Sequence, residues 1–241
     1  MVKNLFWTGG LDSTFRLLQL INNPDIEEIN LFYIGTLIDN IKRIDVLFLD
    51  ARRHSYDTEL MTMSRILSII DKRKIKKFTI WSTSDRLLLC TMAFPYDFMC
   101  YVQREDIEYS DKVKVNQFDL WLNGFILRPV TQYGAISQIL DELDITAEIG
   151  IEKGGGLWTN TSEFFLENRQ NKIVFKPFPG SGAFDRYEMP LYNIDRHEMI
   201  NISKENDWIE ILYMTWSCWY PDQNKPCGKC DMCKNRKGLF D

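Results

Sequence analysis

The chain has 241 residues, 45% of them hydrophobic and 26% charged, with a formal net charge of −5. That length and apolar content suffice for one sizeable core and a small appendage, and the acidic balance argues against a general nucleic-acid binder with a basic face. No run of about 18 apolar residues occurs and the N-terminus has no signal-peptide design, so no membrane partner is expected and the reading is cytoplasmic.

Val2–Trp7 reads as the first strand. Asp12–Ile21 reads as the first helix, apolar at Phe15, Leu17, Leu18, Leu20 and Ile21 and stopped by Asn22-Asn23-Pro24. Ile29–Ile34 and Asp45–Leu49 are the next strand candidates. Ser55–Ile70 is amphipathic, with Leu60, Met63, Ile66, Leu67 and Ile70 near one face, and the lysines and arginine of 72–77 read as a solvated helix end. Lys77–Trp81 is a further strand, Tyr133–Leu143 a helix and Ala147–Ile151 a strand. The aromatic-rich stretch 85–130, with Phe94, Tyr96, Phe98, Tyr101, Phe118, Trp121 and Phe125, reads as packing rather than a pocket. Phe175–Gly182, with two Pro and two Gly, marks a loop. The alternation predicts a doubly wound, mostly parallel α/β sheet over 1–205, followed by a small metal-binding segment at 206–241.

Thr8-Gly9-Gly10-Leu11-Asp12-Ser13-Thr14 lies between the first strand and the first helix. Helix N-termini present unpaired N–H groups and a positive dipole end, two glycines let the backbone approach a phosphate, and three hydroxyls add donors. The bland alternative is a tight turn with Asp12 or Ser13 capping the helix. The string lacks the Gly-Lys-Ser/Thr ending of a Walker loop and is not a Gly-x-Gly-x-x-Gly fingerprint.

Four of six cysteines, Cys218, Cys227, Cys230 and Cys233, fall within 16 residues, while Cys90 and Cys100 stand apart. In a reducing compartment such a cluster points to metal. Four thiolates suit tetrahedral Zn²⁺ in a closed, structural site; an iron–sulfur cluster and free or disulfide-paired thiols are the alternatives. The two histidines, His54 and His197, form no visible catalytic constellation.

The first loop resembles the Ser-Gly-Gly-x-Asp-Ser loop of PP-loop ATP pyrophosphatases, with Thr8 for the first Ser. The string Thr215-Trp-Ser-Cys218 … Cys227-Gly-Lys-Cys230-Asp-Met-Cys233-Lys-Asn-Arg236 resembles the C-terminal zinc segment of 7-cyano-7-deazaguanine synthases. Pro190-Leu191 with Arg196, Glu198 and Met199 is similar to that family's Pro-Leu … Lys-x-Glu-Ile stretch, and Arg53-His54 with Glu59-Leu60 to its Gln-Arg-His … Glu-Leu element. The resemblance implies a PP-loop fold, ATP and Mg²⁺ bound at Thr8 to Thr14 with Arg53 and His54, catalytic roles for Asp12 and Ser13, and Zn²⁺ on the four cysteines.

By the same resemblance the substrate is the carboxylate of a 7-deazaguanine, activated as an acyl-adenylate and aminated by ammonia to an amide and then a nitrile. The sequence departs from the family in the middle. Its Pro-Asp-Cys-Arg motif has no counterpart, Asn123 and Arg128 are the nearest candidates for its Arg-Asn pair, and Ile29–Arg43 reads as an added hairpin. Ile149–Gly156 is the candidate for the strand end that approaches the base. An antiviral relative that passes the acyl group to an amine of a protein substrate is therefore a second reading. A tRNA-modifying PP-loop enzyme and a non-catalytic zinc module are further ones, and a homodimer is compatible with all.

Overall fold

A computed structural model describes residues 1–35, 55–82, 140, 143–153, 166–169, 172–175, 186–218 and 220–240. The expectations at Asp45–Leu49, Arg53, His54, the aromatic stretch 85–130, Asn123 and Arg128 lie outside these residues, as do 154–156, 176–182 and most of Tyr133–Leu143.

Chain order is β1 Val2–Phe6, α1 Leu11–Asn22, β2 Glu28–Gly35, α2 Tyr56–Ile69, β3 Ile75–Ser82 and β4 Ala147–Glu148. There follow β5 Leu166–Arg169, β6 Lys172–Phe175, β7 Tyr187–Glu188, α3 Arg196–Glu205, α4 Ile209–Tyr213 and α5 Asp231–Arg236. Five strands form a parallel sheet in the order β3-β2-β1-β4-β7, and β5 and β6 pair as an antiparallel ribbon. The expected parallel α/β class is therefore found. No described helix is long and apolar enough to cross a membrane.

Among the described residues, the predicted elements up to Trp81 are displaced by two residues at most. The hairpin expected over Ile29–Arg43 does not form along its first arm. Leu31 pairs with Leu5 on one side and Phe78 on the other, so both edges of β2 are already taken by parallel neighbours. Continuous apolar runs such as Leu31-Phe32-Tyr33 are what a strand covered on both faces needs, and all three are buried.

The core gathers Leu5 and Trp7 from the β1 end, Phe15, Leu17 and Leu18 from α1, Met63 and Ile66 from α2, Met199 and Ile200 from α3, and Leu212 and Leu239 from the C-terminal segment. Each such side chain stabilises the fold by about 1.5–3 kcal/mol through removal from water. Trp208 packs edge-on against Phe15, ring centroids 6.1 Å apart, and so joins the stretch before the cysteines to α1.

A second tie crosses from β1 to β4 and β7. Glu148, almost wholly buried, takes both oxygens to Arg16 of α1, Nε to Oε2 at 2.6 Å and an Nη at 3.0 Å, and Lys3 Nζ lies 2.9 Å from Glu148 and 2.9 Å from Glu188. A buried carboxylate with two cationic partners keeps its desolvation covered. This network explains why β4 and β7, only two residues each, hold their place in the sheet.

Candidate functional site

The sheet reverses direction of growth between β1 and β4: β2 and β3 lie to one side, β4 and β7 to the other. Open α/β sheets bind ligands in the crevice at the carboxyl ends of the strands flanking such a switch. The Thr8–Thr14 loop leaves β1 at that point, and the segment after β4 leans against it. A Cβ on Gly150 would come within 2.9 Å of the Ser13 nitrogen and 3.2 Å of Asp12 Cβ.

Core packing shapes the loop. The Trp7 amide donates to the Phe32 carbonyl at 2.9 Å, and Trp7 Nε1 donates to the buried Thr14 hydroxyl at 3.0 Å. Between these anchors Gly9 adopts φ +71°, a left-handed conformation that costs a side chain about 1 kcal/mol or more. A Cβ there would lie 2.9 Å from Met63 Cγ of α2. The hydroxyls of Thr8 and Ser13 approach to 3.3 Å.

The capping alternative is corrected by the geometry. Gly10 is the N-cap of α1, extended at φ −76° and ψ 167°, and no side chain caps the helix. Ser13 Oγ instead turns back toward the Gly10 carbonyl at 3.4 Å. The first-turn N–H groups, which have no intrahelical acceptor, are left facing the crevice end of the sheet.

Asp12 stands in the first turn of α1, its side chain only 20% exposed. Arg196 Nε lies 3.6 Å from its Oδ1, and Glu152 Oε1 lies 2.6 Å from an Nη of Arg196. Burial, reinforced by the charge of Glu152 and offset in part by Arg196, pushes the Asp12 carboxyl up to about 7. Arg196 is the first residue of α3, which Asp195 caps by accepting from the Glu198 amide at 2.9 Å. A cleft of ≈ 140 Å³ lies in front of these groups, lined by Thr8, Gly10, Asp12, Glu59, Arg196 and Trp216 among others. Glu59, from the element that resembles Glu-Leu, is buried and accepts hydrogen bonds from Tyr33 at 2.7 Å and Ser55 at 2.6 Å.

The C-terminal segment closes the opposite wall. The Trp216 amide donates to the Gly9 carbonyl at 2.9 Å, and its indole donates to the Cys218 carbonyl at 2.8 Å. Arg236, at the end of α5, donates to Thr215 Oγ1 at 2.9 Å and to the Leu212 and Tyr213 carbonyls at 3.2 and 3.0 Å. The Leu212 carbonyl also accepts from the Thr215 amide at 3.2 Å and the Thr215 hydroxyl at 2.6 Å, so the arginine adds to the C-terminal cap of α4.

Cys218, Cys227, Cys230 and Cys233 bring their sulfurs within 4.8 Å of one another. The Cys227–Cys233 and Cys218–Cys230 pairs are 3.9 and 4.0 Å apart. A tetrahedral Zn–S₄ site, with Zn–S near 2.3 Å, needs sulfurs about 3.8 Å apart, so the donor set fits zinc. The turn at Gly228, φ +69°, brings the Lys229 and Cys230 amides onto Cys227 Sγ at 3.4 and 3.3 Å. That donation holds the Cys227 thiol down at about 6, whereas burial pushes Cys233 up to about 12.

Of the Thr8–Thr14 loop, Thr8, Gly10, Leu11 and Asp12 line the crevice, while Ser13 and Thr14 are buried beneath it; the four cysteines meet on one centre. Sequence reasoning pointed to Ile149–Gly156 and to the Thr215–Cys218 string but gave Glu152, Trp216 and Arg196 no individual place at the cleft. The one signal for Glu152 was an acidic residue directly after the apolar strand end Ile149-Gly150-Ile151.

A parallel sheet with a Gly-Gly loop at its switch point and a four-cysteine segment beside the same crevice is an arrangement consistent with an α/β fold of the PP-loop type. Residues 182–241 match the family model described as Queuosine biosynthesis protein QueC. A 7-cyano-7-deazaguanine synthase of Sulfolobus acidocaldarius is 42% identical over 97 residues, 40% of this chain and 20% of the relative. Two proteins of the same name from strains of Prochlorococcus marinus are each 38% identical over 52 residues, 22% of either chain. The chain thus spans about a fifth of the length of these relatives, and over those stretches it resembles 7-cyano-7-deazaguanine synthases.

Proposed function

We propose that the chain is an AMP-forming, ATP-dependent enzyme that activates the carboxylate of 7-carboxy-7-deazaguanine and aminates it with ammonia. The observation that carries this reading is the uncapped start of α1, where Gly9 and Gly10 open the backbone at the switch point of the sheet. The match of residues 182–241 supports the choice of base.

In this reading a substrate carboxylate oxygen attacks the α-phosphorus of ATP. The bond to the β-phosphate oxygen breaks, and pyrophosphate leaves onto the N–H groups and hydroxyls of Thr8 to Thr14. Ammonia then attacks the acyl carbon and AMP departs, giving the amide; a second adenylation, now of the amide oxygen, allows loss of AMP and protons to the nitrile. The protein supplies positioning and charge stabilisation rather than a nucleophile. Asp12, which lines the cleft, would hold Mg²⁺, which neutralises phosphate charge. Arg53 and His54 are assigned to nucleotide binding on resemblance alone. Zn²⁺ on the four cysteines has a closed ligand set and a structural role.

The test is AMP release from ATP and Mg²⁺ with 7-carboxy-7-deazaguanine, with and without ammonia, followed by mass spectrometry. A nitrile product with AMP is expected, and Asp12→Ala should abolish AMP formation while the thermal unfolding transition is retained. AMP without nitrile would replace ammonia with another amine, that of a protein substrate first. No AMP at all would overturn the reading.

A further inference from the structure

Glu152 follows β4 at the switch point, its side chain 7% exposed, behind Arg196 rather than on the wall of the cleft. Its backbone is fixed on both sides: the Ile151 amide donates to the Ile149 carbonyl at 3.0 Å, and the Lys153 amide to the Ile194 carbonyl at 3.0 Å. Arg196 is fixed in turn as the first residue of a capped helix. Only the side chains are therefore free to choose partners. The guanidinium stands between two carboxylates and is drawn to the one away from the cleft, 2.6 Å to Glu152 against 3.6 Å to Asp12. A charge-assisted hydrogen bond to Asp12 would need about 2.7–2.9 Å; among the described residues Asp12 Oδ1, Arg196 Nε and Glu152 Oε1 are all buried without a hydrogen-bond partner, so the close Glu152 contact is an ion pair.

We infer that Glu152 is a positioning residue: it holds Arg196 off Asp12 and so keeps the Asp12 carboxylate, which lines the cleft, free for the divalent cation that accompanies the nucleotide. This rests on the nucleotide reading above. Two carboxylates share one guanidinium, and the carboxylate farther from it faces the cleft, where a cation can take the place of a proton. Without the charge of Glu152, Asp12 becomes the nearest anion to the guanidinium. A movement of less than about 1 Å then closes the ion pair and occupies the oxygen that the cation needs.

Glu152→Gln removes the charge at constant size. In the zinc-loaded full chain, Mn²⁺ binding is measured by electron paramagnetic resonance beside a non-hydrolysable ATP analogue, and the Mg²⁺ dependence of AMP release at saturating ATP. The half-saturating cation concentration is expected to rise about tenfold, the effect typical of losing an outer-shell partner, with the KM for the carboxylate substrate unchanged and with recovery in Glu152→Asp. Wild-type cation affinity in Glu152→Gln would overturn the inference. Should that variant not fold, the pair Glu152→Gln with Arg196→Gln leaves neither charge buried alone. It is expected to bind Mn²⁺ within about twofold of the unaltered protein, and a tenfold loss there would also overturn it. If the unaltered protein binds no Mn²⁺–nucleotide, the nucleotide reading falls first and this inference with it.

Discussion

The two candidate binding regions are built on opposite principles. The Thr8–Thr14 loop is made of backbone and is held from below: Trp7, Thr14 and Phe15 are fully buried, and strand pairing fixes the residue that enters it. The shape of the loop therefore exists before any ligand arrives, because Gly9 adopts its left-handed turn without strain. The cysteine segment is made of side chains held from within. Only Cys218 is buried, the other three thiols are half-exposed, and N–H···S bonds to two sulfurs are the local ties around the turn. Four thiols of unlike acidity come together stably only when a cation draws off their protons. The first region is shaped by the fold; the second gathers four side chains whose donor set fits a metal.

The sharpest way to break that contrast is to remove the metal. Cys230→Ala, or a strong chelator, should empty the centre and unfold the segment around Thr215–Leu239, since metal binding and folding are one free energy of about 10–16 kcal/mol in small zinc motifs. Zinc content and the unfolding transition report it; a zinc-free protein with an unchanged transition would refute the description. At the other region no ligand is needed to see the effect. Gly9→Ala should cost about 2–3 kcal/mol in urea unfolding of the ligand-free protein, from left-handed strain and the contact with Met63 together. A cost that appeared only in the presence of nucleotide would mean that the loop is shaped on binding.

The smallest expected effect has the opposite sign. The folded-state carboxyl of Asp12 is raised to about 7 from a normal value near 3.8. The stability linked to its proton is complete at low pH and is lost as pH climbs toward and through 7. Asp12→Asn should thus stabilise the protein by on the order of 2 kcal/mol at pH 8 and by much less at pH 4. Equal gains at both pH values would show that burial does not suppress the charge. A variant more stable yet inactive is what a site kept at the expense of stability predicts.

The sequence made the local parts legible and left their meeting hidden. Gly9-Gly10 after an apolar strand and the Cys227-x₂-Cys230-x₂-Cys233 spacing are short-range signals, because each encodes its own turn. Both stand in the structure where sequence reasoning put them. The pairings between distant segments left no such trace. Nothing in Ile149-Gly150-Ile151-Glu152 says that the strand lies beside β1, and nothing in Arg196 says that it reaches Asp12. Over Ile29–Gly35 the expected hairpin fails for the same reason, while 36–43 lie outside the described residues: a run such as Leu31-Phe32-Tyr33 declares that it is buried, not which strands cover it. Asp12 and Ser13 were credible caps by residue type, but Gly10 took that position because the loop turns two residues earlier.

The bond from the Trp216 amide to the Gly9 carbonyl joins residues that are almost the full length of the chain apart. On a ribosome adding 5–20 residues per second, Gly9 is made roughly 10–40 s before Trp216. The glycine loop and its strand can form early, but the far wall of the cleft cannot exist until Trp216, Met232 and Arg236 have been synthesised. A nascent or truncated chain therefore holds half a pocket, and the ability to engage a ligand there becomes a property of completed molecules alone.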